Sequence, residues 1–317
     1  MKTGTLYILL SLLWSWYGIA QIAQYNHFPT KQPTHILDEK LEDISFAYSL
    51  RLLESDYNGP LIRLRRESDN QEMDFACADD DRVNLADIDI WRAGSMVYVT
   101  IWYDQSGLGL NAIQTNTALQ PQFIPDLAQP YFVGDGTNDL LIIPESQLNL
   151  TENGKNGTVL GVFLATDRAD TAFGTASGSN RWLVHINWND ERTYFDPGYC
   201  CNNPRWFSND LPTAPTPGSL GIWDQYSFIR RNDPATMGTD RVIMRLGNTE
   251  KINGGFPDNR ACTVNANFGI CAAINNAANN GSGYSNTQFT EMIMYKEGKE
   301  DPFIEEIEKN QIAFWNL

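Results

Sequence analysis

Basic residues are scarce in this chain of 317 residues: 23 Lys and Arg stand against 39 Asp and Glu, a formal charge of −16. A nucleic-acid surface needs clustered cations to neutralise phosphates, so nucleic acid is excluded as a partner. The densest cationic run, Arg63, Arg65 and Arg66, is followed at once by Glu67 and Asp69 and reads as a solvated strand face. Histidine is scarcer still. His27, His35 and His185 are too scattered for a zinc site, and no metal is expected. Asp79, Asp80 and Asp81 lack the glycine that an EF-hand loop requires and read as a solvated loop. There is no GxSxG, no Walker A motif and no dinucleotide fingerprint, so nucleotide chemistry has no support and no cofactor is expected.

Cysteine is also sparse, at five, an odd count. Cys200 and Cys201 are adjacent. Neighbouring Cα atoms lie about 3.8 Å apart across a trans peptide, below the usual lower limit of about 4.4 Å for a disulfide. A bond between them would be strained, and two free or separately paired thiols are the alternative. Cys262 and Cys271 are candidates to staple neighbouring strands, which leaves Cys77 over.

The long apolar run follows Lys2, from Leu6 to Ala20 (LYILLSLLWSWYGIA), with small residues at Gly18, Ala20 and Ala23. It reads as a secretory signal peptide cut before Gln21 or Gln24. The alternative is an uncleaved anchor touching a membrane through residues 5–23, with Trp14, Trp16 and Tyr17 as an interfacial belt. Residues 24–35, with Pro29 and Pro33, read as a linker, and one domain is expected over 36–317. Sequons stand at Asn149, Asn156 and Asn280.

Aromatic residues are plentiful, with 9 Trp, 13 Tyr and 15 Phe, in a chain that is 42% hydrophobic with a mean hydropathy of −0.37. Short apolar runs separated by Gly, Asn, Asp, Ser, Thr and Pro are the pattern of antiparallel β proteins. Strands are predicted at Leu61–Arg66, Ala93–Tyr103, Gly157–Leu164, Tyr226–Arg230, Arg241–Leu246, Asn267–Ile274 and Gln288–Tyr295. Trp182–Trp188 and Thr193–Phe195 flank Asn189, Asp190 and Glu191 as a hairpin. Phe46, Leu50 and Leu53, at i, i+4, i+7 spacing, predict a short N-terminal helix. Pro302, with Phe303, Ile307 and Ile312, predicts a C-terminal helix. The fold class is therefore an all-β sandwich with a short helix at each end.

Carboxylates and aromatics are the tools of carbohydrate work, and a resemblance supports that direction. The segments Ala47–Leu53 (AYSLRLL), Gly59–Asn70 (GPLIRLRRESDN) and Trp102–Gly107 (WYDQSG) carry it, with Asn111, Gln114, Gln120-Pro121 and Gly134–Leu140 (GDGTNDL). These resemble the concanavalin-like jelly roll related to the catalytic domain of arabinofuranosidase B, and more so its laminin-G-like cousins in Bacteroidetes surface proteins and phage structural proteins. The resemblance implies a jelly-roll β-sandwich over about Ile36–Leu317. For the enzymes it implies a Glu nucleophile, an Asp acid/base and an adjacent-cysteine disulfide in the sugar pocket. Cys200-Cys201 resembles that pair. The stretch matching the acid/base loop, Ala273–Ser282 (AINNAANNGS), contains no Asp or Glu, and an amide cannot donate the proton a leaving sugar needs.

The reading is therefore a non-catalytic glycan-binding or host-recognition domain. Its candidate wall is Trp188, Tyr194, Tyr199, Cys200, Cys201, Asn202, Asn203 and Trp206, with Asp190 and Asp196 as hydroxyl partners. The alternative for Trp188 and Tyr194 is ordinary core packing. Asp104 in the YDQSG turn is expected to be structural, accepting backbone N–H groups. The partner would be a polysaccharide or cell-surface glycan, and the location extracellular, on a cell surface, or on a virion with a membrane-embedded N-terminus. Two alternatives stay open: a retaining arabinofuranosidase using Asp190, Glu191 or Asp196, and an architectural virion component forming a homo-oligomer.

Overall fold

In the computed structural model the described residues are 35–168, 170–186, 188–189, 193–200, 220–232, 240–256, 260–276 and 278–317. The strands are β1 (Ile44–Ser49), β2 (Ile62–Arg66), β3 (Glu72–Phe75), β4 (Val97–Trp102), β5 (Ala112–Ile113), β6 (Gln122–Ile124), β7 (Tyr131–Val133), β8 (Leu141–Ser146) and β9 (Gly157–Leu164). They continue with β10 (Phe173–Ser177), β11 (Asn180–His185), β12 (Tyr194–Tyr199), β13 (Asp224–Asn232), β14 (Asp240–Leu246), β15 (Thr249–Phe256), β16 (Asn267–Ile270), β17 (Ala273–Ile274), β18 (Gly281–Ser282) and β19 (Gln288–Tyr295). Helices are α1 (Leu85–Arg92), the single turn α2 (Gln147–Leu150) and α3 (Asp301–Trp315).

The pairings resolve into two layers. One runs β1–β19–β9–β13–β14–β15, antiparallel throughout. The other runs β3–β2–β4–β5–β8–β16–β10–β11–β12, also antiparallel. Strands β6 and β7 bridge β4 to β19 and join the layers. Aromatic rings fill the space between: Phe163 of β9 lies 5.8 Å from Phe173 of β10, and Phe228 of β13 lies 5.6 Å from Phe195 of β12. Such layers, with inward-facing residues from both sheets, are a β-sandwich.

Helix α3 lies on the outer face of the first layer. Ile304 and Ile307 join Leu160, Ile229, Ile243 and Ile293 in a second apolar cluster distinct from the core between the sheets. This explains why β9 (GTVLGVFL) is buried along its whole length: Val159 and Phe163 face the sheets' shared core, and Leu160 faces the helix. Buried ion pairs fasten the same helix. Glu308 accepts from Arg245 Nε at 2.8 Å and from Ser227 Oγ at 2.8 Å. Glu291 accepts Arg51 Nε at 2.6 Å and Trp315 Nε1 at 2.8 Å.

The structure corrects three expectations. Residues 46–53 are not a helix. Phe46, Tyr48 and Leu50 face the core while Ala47 faces the α3 side, a period of two that pairing with β19 enforces and that aromatic residues favour. Cys262 and Cys271 form no staple. Both are free thiols, like Cys77. Cys262 hangs on the Gly154 carbonyl and Cys271 on that of Ala172, and burial pushes the Cys262 thiol up to about 11. Third, the arginine run is only partly a solvated face. Arg63 and Arg66 form surface pairs with Asp74 and Asp69, but Arg65 is 6% exposed.

Asp104 plays the structural part expected of it, accepting N–H groups from Ala47, Ser106 and Leu110 at 2.9–3.0 Å. Asn156 is buried, so its sequon is inaccessible in the fold. The described residues lie within one unit, Pro33–Leu317. Among them no helix is long and apolar enough to cross a membrane, and no group of three His, Cys, Asp or Glu could hold a metal ion.

The Gly134–Leu140 turn stores an acid-base asymmetry. Burial, then the charge of Asp135, pushes the Asp139 carboxyl up to about 7. Because the folded state holds this proton more tightly than the unfolded chain does, stability falls as pH rises from about 4 to about 7 and stays reduced above. Asp139→Asn keeps an acceptor for the Asp135 N–H and removes the buried charge. Its melting temperature relative to the parent should climb across that window and level off above it, as differential scanning fluorimetry between pH 4 and pH 8 will read.

Candidate functional site

Alternation along β11 builds the site's floor. Trp182 and Val184 point into the core, so Arg181, Leu183 and His185 share the opposite face. The register with β12 sets Leu183 opposite Asp196 and His185 opposite Tyr194, and the register with β10 sets Arg181 opposite Ala176. Parallel pairing of β10 with β17 brings in the segment from Ala273 to Gly283. Together these form an open cavity of about 490 Å³ lined by Thr171, Ala176, Ser177, Gly178, Arg181, Leu183, His185, Trp188, Ala273, Asn275, Asn276, Ser282 and Gly283.

Trp188 is the aromatic wall. Its ring lies 4.3 Å from that of His185 and meets Tyr194 edge-on at 6.4 Å. Tyr194 itself is buried and supports Trp188 from behind. His185 is held by Nδ1, 3.0 Å from the Asp170 carbonyl and 3.3 Å from Thr171 Oγ1. Asp196 is 1% exposed and ion-paired to Arg181, so it positions that guanidinium. On the far rim, Asn275 Oδ1 is buried and accepts no hydrogen bond among the described residues, while Asn276 Oδ1 caps its own turn through the Ala278 N–H at 3.0 Å.

No carboxylate is among the described residues lining this cavity. Asp170 is next in sequence to Thr171, and burial, then Asp167, pushes its carboxyl up to about 6. That carboxyl accepts the backbone N–H of Asn286, which does not line the cavity. Glycoside hydrolysis generally requires two carboxyl groups about 5–9 Å apart across the bond. What lines the cavity instead is an aromatic face, a neutral amide acceptor, hydroxyls and a guanidinium, groups able to stack on and hydrogen-bond a hydroxyl-rich ligand.

Of the candidates read from the sequence, Trp188 lines the cavity, Tyr194 backs it, and Asp196 anchors Arg181. Tyr199 is half-buried, with the Arg260 guanidinium 3.4 Å above its ring. Cys200 directly follows β12, is buried and is disulfide-bonded. Asp190, Glu191, Cys201, Asn202, Asn203 and Trp206 lie outside the described residues. Arg181, His185, Thr171 and Ser177 were not foreseen. The alternation on β11 marks the first two as sharing a face, but only the long-range β10–β17 pairing brings the segment from Ala273 to Gly283 beside that face.

Gly198 fixes the end of β12. Its φ is +125°, and a Cβ there would stand 2.5 Å from Arg230 Nη1 and 2.6 Å from the Arg260 carbonyl. Gly198→Ala should therefore destabilise the domain by about 1–3 kcal/mol, measured by urea denaturation, and should weaken the seat of Arg260 over Tyr199.

No family model matches the chain, and no curated protein does. Among solved structures it is similar to an arabinofuranosidase complexed with arabinofuranosyl-α-1,2-xylobiose, with a TM-score of 0.60 and 14% identity over 89% of this chain and 65% of that one. A mutant GH54 α-L-arabinofuranosidase soaked with 4-nitrophenyl α-L-arabinofuranoside gives the same values. The GH54 enzyme soaked with a cyclic sulfate inhibitor gives 0.59 and 13%. The chain thus spans about 65% of the length of these structures. At this identity the likeness is one of fold: the chain is an all-β sandwich, closed by a C-terminal helix, of the kind that arabinofuranosidases also use.

Proposed function

We propose that this domain is a non-catalytic glycan-binding module that recognises a polysaccharide or cell-surface glycan through the Trp188 cavity. The observation that carries the reading is the composition of that cavity: an aromatic wall, Asn275 Oδ1 and Arg181, with amides where a hydrolase of similar fold would need an acid. Stacking of a sugar face on Trp188 supplies affinity, and the polar groups fix orientation. A Cys200–Cys201 bond, part of this proposal, would add a rigid apolar knob beside it. Display outside the cell or on a virion, through the segment 1–23, completes the reading.

Affinity gel electrophoresis against plant, bacterial and host polysaccharides tests it. Retardation by at least one of them, with no release of nitrophenol from 4-nitrophenyl α-L-arabinofuranoside, is expected. Turnover of that substrate that is lost in Asp190→Asn or Glu191→Gln would overturn the non-catalytic reading in favour of a furanosidase.

A further inference from the structure

A second cavity, of about 530 Å³, shares no lining residue with the first. It is formed by β2, β4, β6, the 117–120 turn and the Gly134–Asp139 turn. Gly134 lets this last turn press against its neighbours, since a Cβ there would stand 2.5 Å from the Ser285 carbonyl.

Arg65 lines the cavity together with the carboxyl groups of Glu67, Asp135 and Asp139, and its own hydrogen bonds go to none of them. Arg65 gives Nε to Gln120 Oε1 at 2.6 Å, Nη1 to Asn70 Oδ1 at 2.9 Å and Nη2 to the Thr117 carbonyl at 3.4 Å. All three acceptors are neutral, and its guanidinium lies 4.8 Å over the Tyr98 ring. Asp139, 9% exposed, accepts the Asp135 N–H on Oδ2 at 3.2 Å, and its Oδ1 accepts nothing among the described residues. Its carboxyl is pushed up to about 7 by burial, then by Asp135, as expected of a buried acid that no cation neutralises.

We propose that this cavity is a second binding site, for a neutral sugar whose adjacent hydroxyls bridge the Arg65 guanidinium and the Asp139 carboxyl. A hydroxyl both accepts and donates, so a sugar edge can meet the Arg65 guanidinium and the Asp139 carboxyl together. A lone metal ion would suit Asp139, Asp135 and Glu67 but would be repelled by Arg65. A lone anion would meet the reverse. Gln122 adds a polar group to the wall, and the volume falls within the range of small-ligand sites. The domain would then hold glycans at two independent places, and linked sites raise avidity without new contacts.

Saturation-transfer NMR on the full chain with D-glucose, D-galactose, D-mannose, D-xylose and L-arabinose tests this. Trp188→Ala serves as background to silence the first cavity, so that failure of the one site is distinguishable from failure of the other. Transfer to at least one sugar is expected in that background. It should fall at least tenfold when Ala118, on the rim, is changed to Trp, and several-fold in Asp139→Asn, which preserves the Asp135 contact. No transfer to any of the sugars in the Trp188→Ala background, or transfer indifferent to Ala118→Trp, would overturn the proposal. So would displacement of the sugar by glycine or calcium chloride, which would reassign the cavity to an amino acid or a cation.

Discussion

Glu291→Ala is expected to destabilise the domain by about 3–5 kcal/mol, a large share of the 5–15 kcal/mol that typically holds a domain together. Glu291 is fully buried and Arg51 is 2% exposed. The carboxylate accepts both Arg51 Nε and Nη2, at 2.6 and 2.9 Å, along with Ser49 Oγ, Trp315 Nε1 and Gln311 Nε2. Removing it strands a guanidinium in the interior and cuts the hydrogen bonds that tie α3 to β19 and β1. Burial alone would raise this carboxyl, but the charge and hydrogen bonds of Arg51 outweigh it and hold it below its ordinary value of 4.5. Since the folded pKa is depressed, the contribution is present above about pH 4.5 and is lost as pH falls through the folded value. Guanidinium denaturation at pH 7 and pH 3 should therefore show a wide gap between parent and variant at the first and a narrower one at the second. Asp69→Ala, which removes only exposed contacts, the pair with Arg66 and the bond from the Gln71 N–H, should shift stability far less than Glu291→Ala does, because solvent screens such pairs.

Trp188→Ala should reduce glycan affinity by about 2 kcal/mol or more, as aromatic hot spots do, which is roughly 30-fold in Kd. The side chain is half-buried at the cavity wall and is not part of the sandwich core. Melting temperature should move little, and Trp188→Phe should recover part of the loss because a smaller ring still stacks. Isothermal titration with whichever polysaccharide retards the parent will read this. Equal affinity for parent and Trp188→Ala would show that the glycan is held elsewhere.

The strands that the sequence declares most openly are those whose burial is uniform. Gly157–Leu164 and Gln288–Tyr295 have the predicted limits because each lies covered on both faces, between the sandwich core and α3. Pro302 marks the start of α3 for a local reason, its fixed φ and missing N–H. The segment at Phe46 misleads because its apolar residues satisfy a helical spacing as well as a strand's, and only the distant partner β19 decides between them. The same non-locality hides the site. Trp188 is visible as an aromatic beside a turn, and the amide-rich stretch at Asn275 as a missing acid, but nothing local says that they share a cavity. Arg65 reads as surface charge until the 117–120 turn is folded over it.

The pairing of β1 with β19, and the Arg51–Glu291 contact spanning 240 residues, has a consequence for biosynthesis. Strand β19 is the second strand of its sheet, between β1 and β9, so β1 cannot join that sheet until residue 295 has left the ribosome, although β9, β13, β14 and β15 can pair before it. Until α3 follows, the apolar outer face of β9 and β13 stays bare. The closing step of folding therefore waits for the last strand of the domain, is slow by the measure of contact order, and leaves the earlier β-strands in need of shielding from one another.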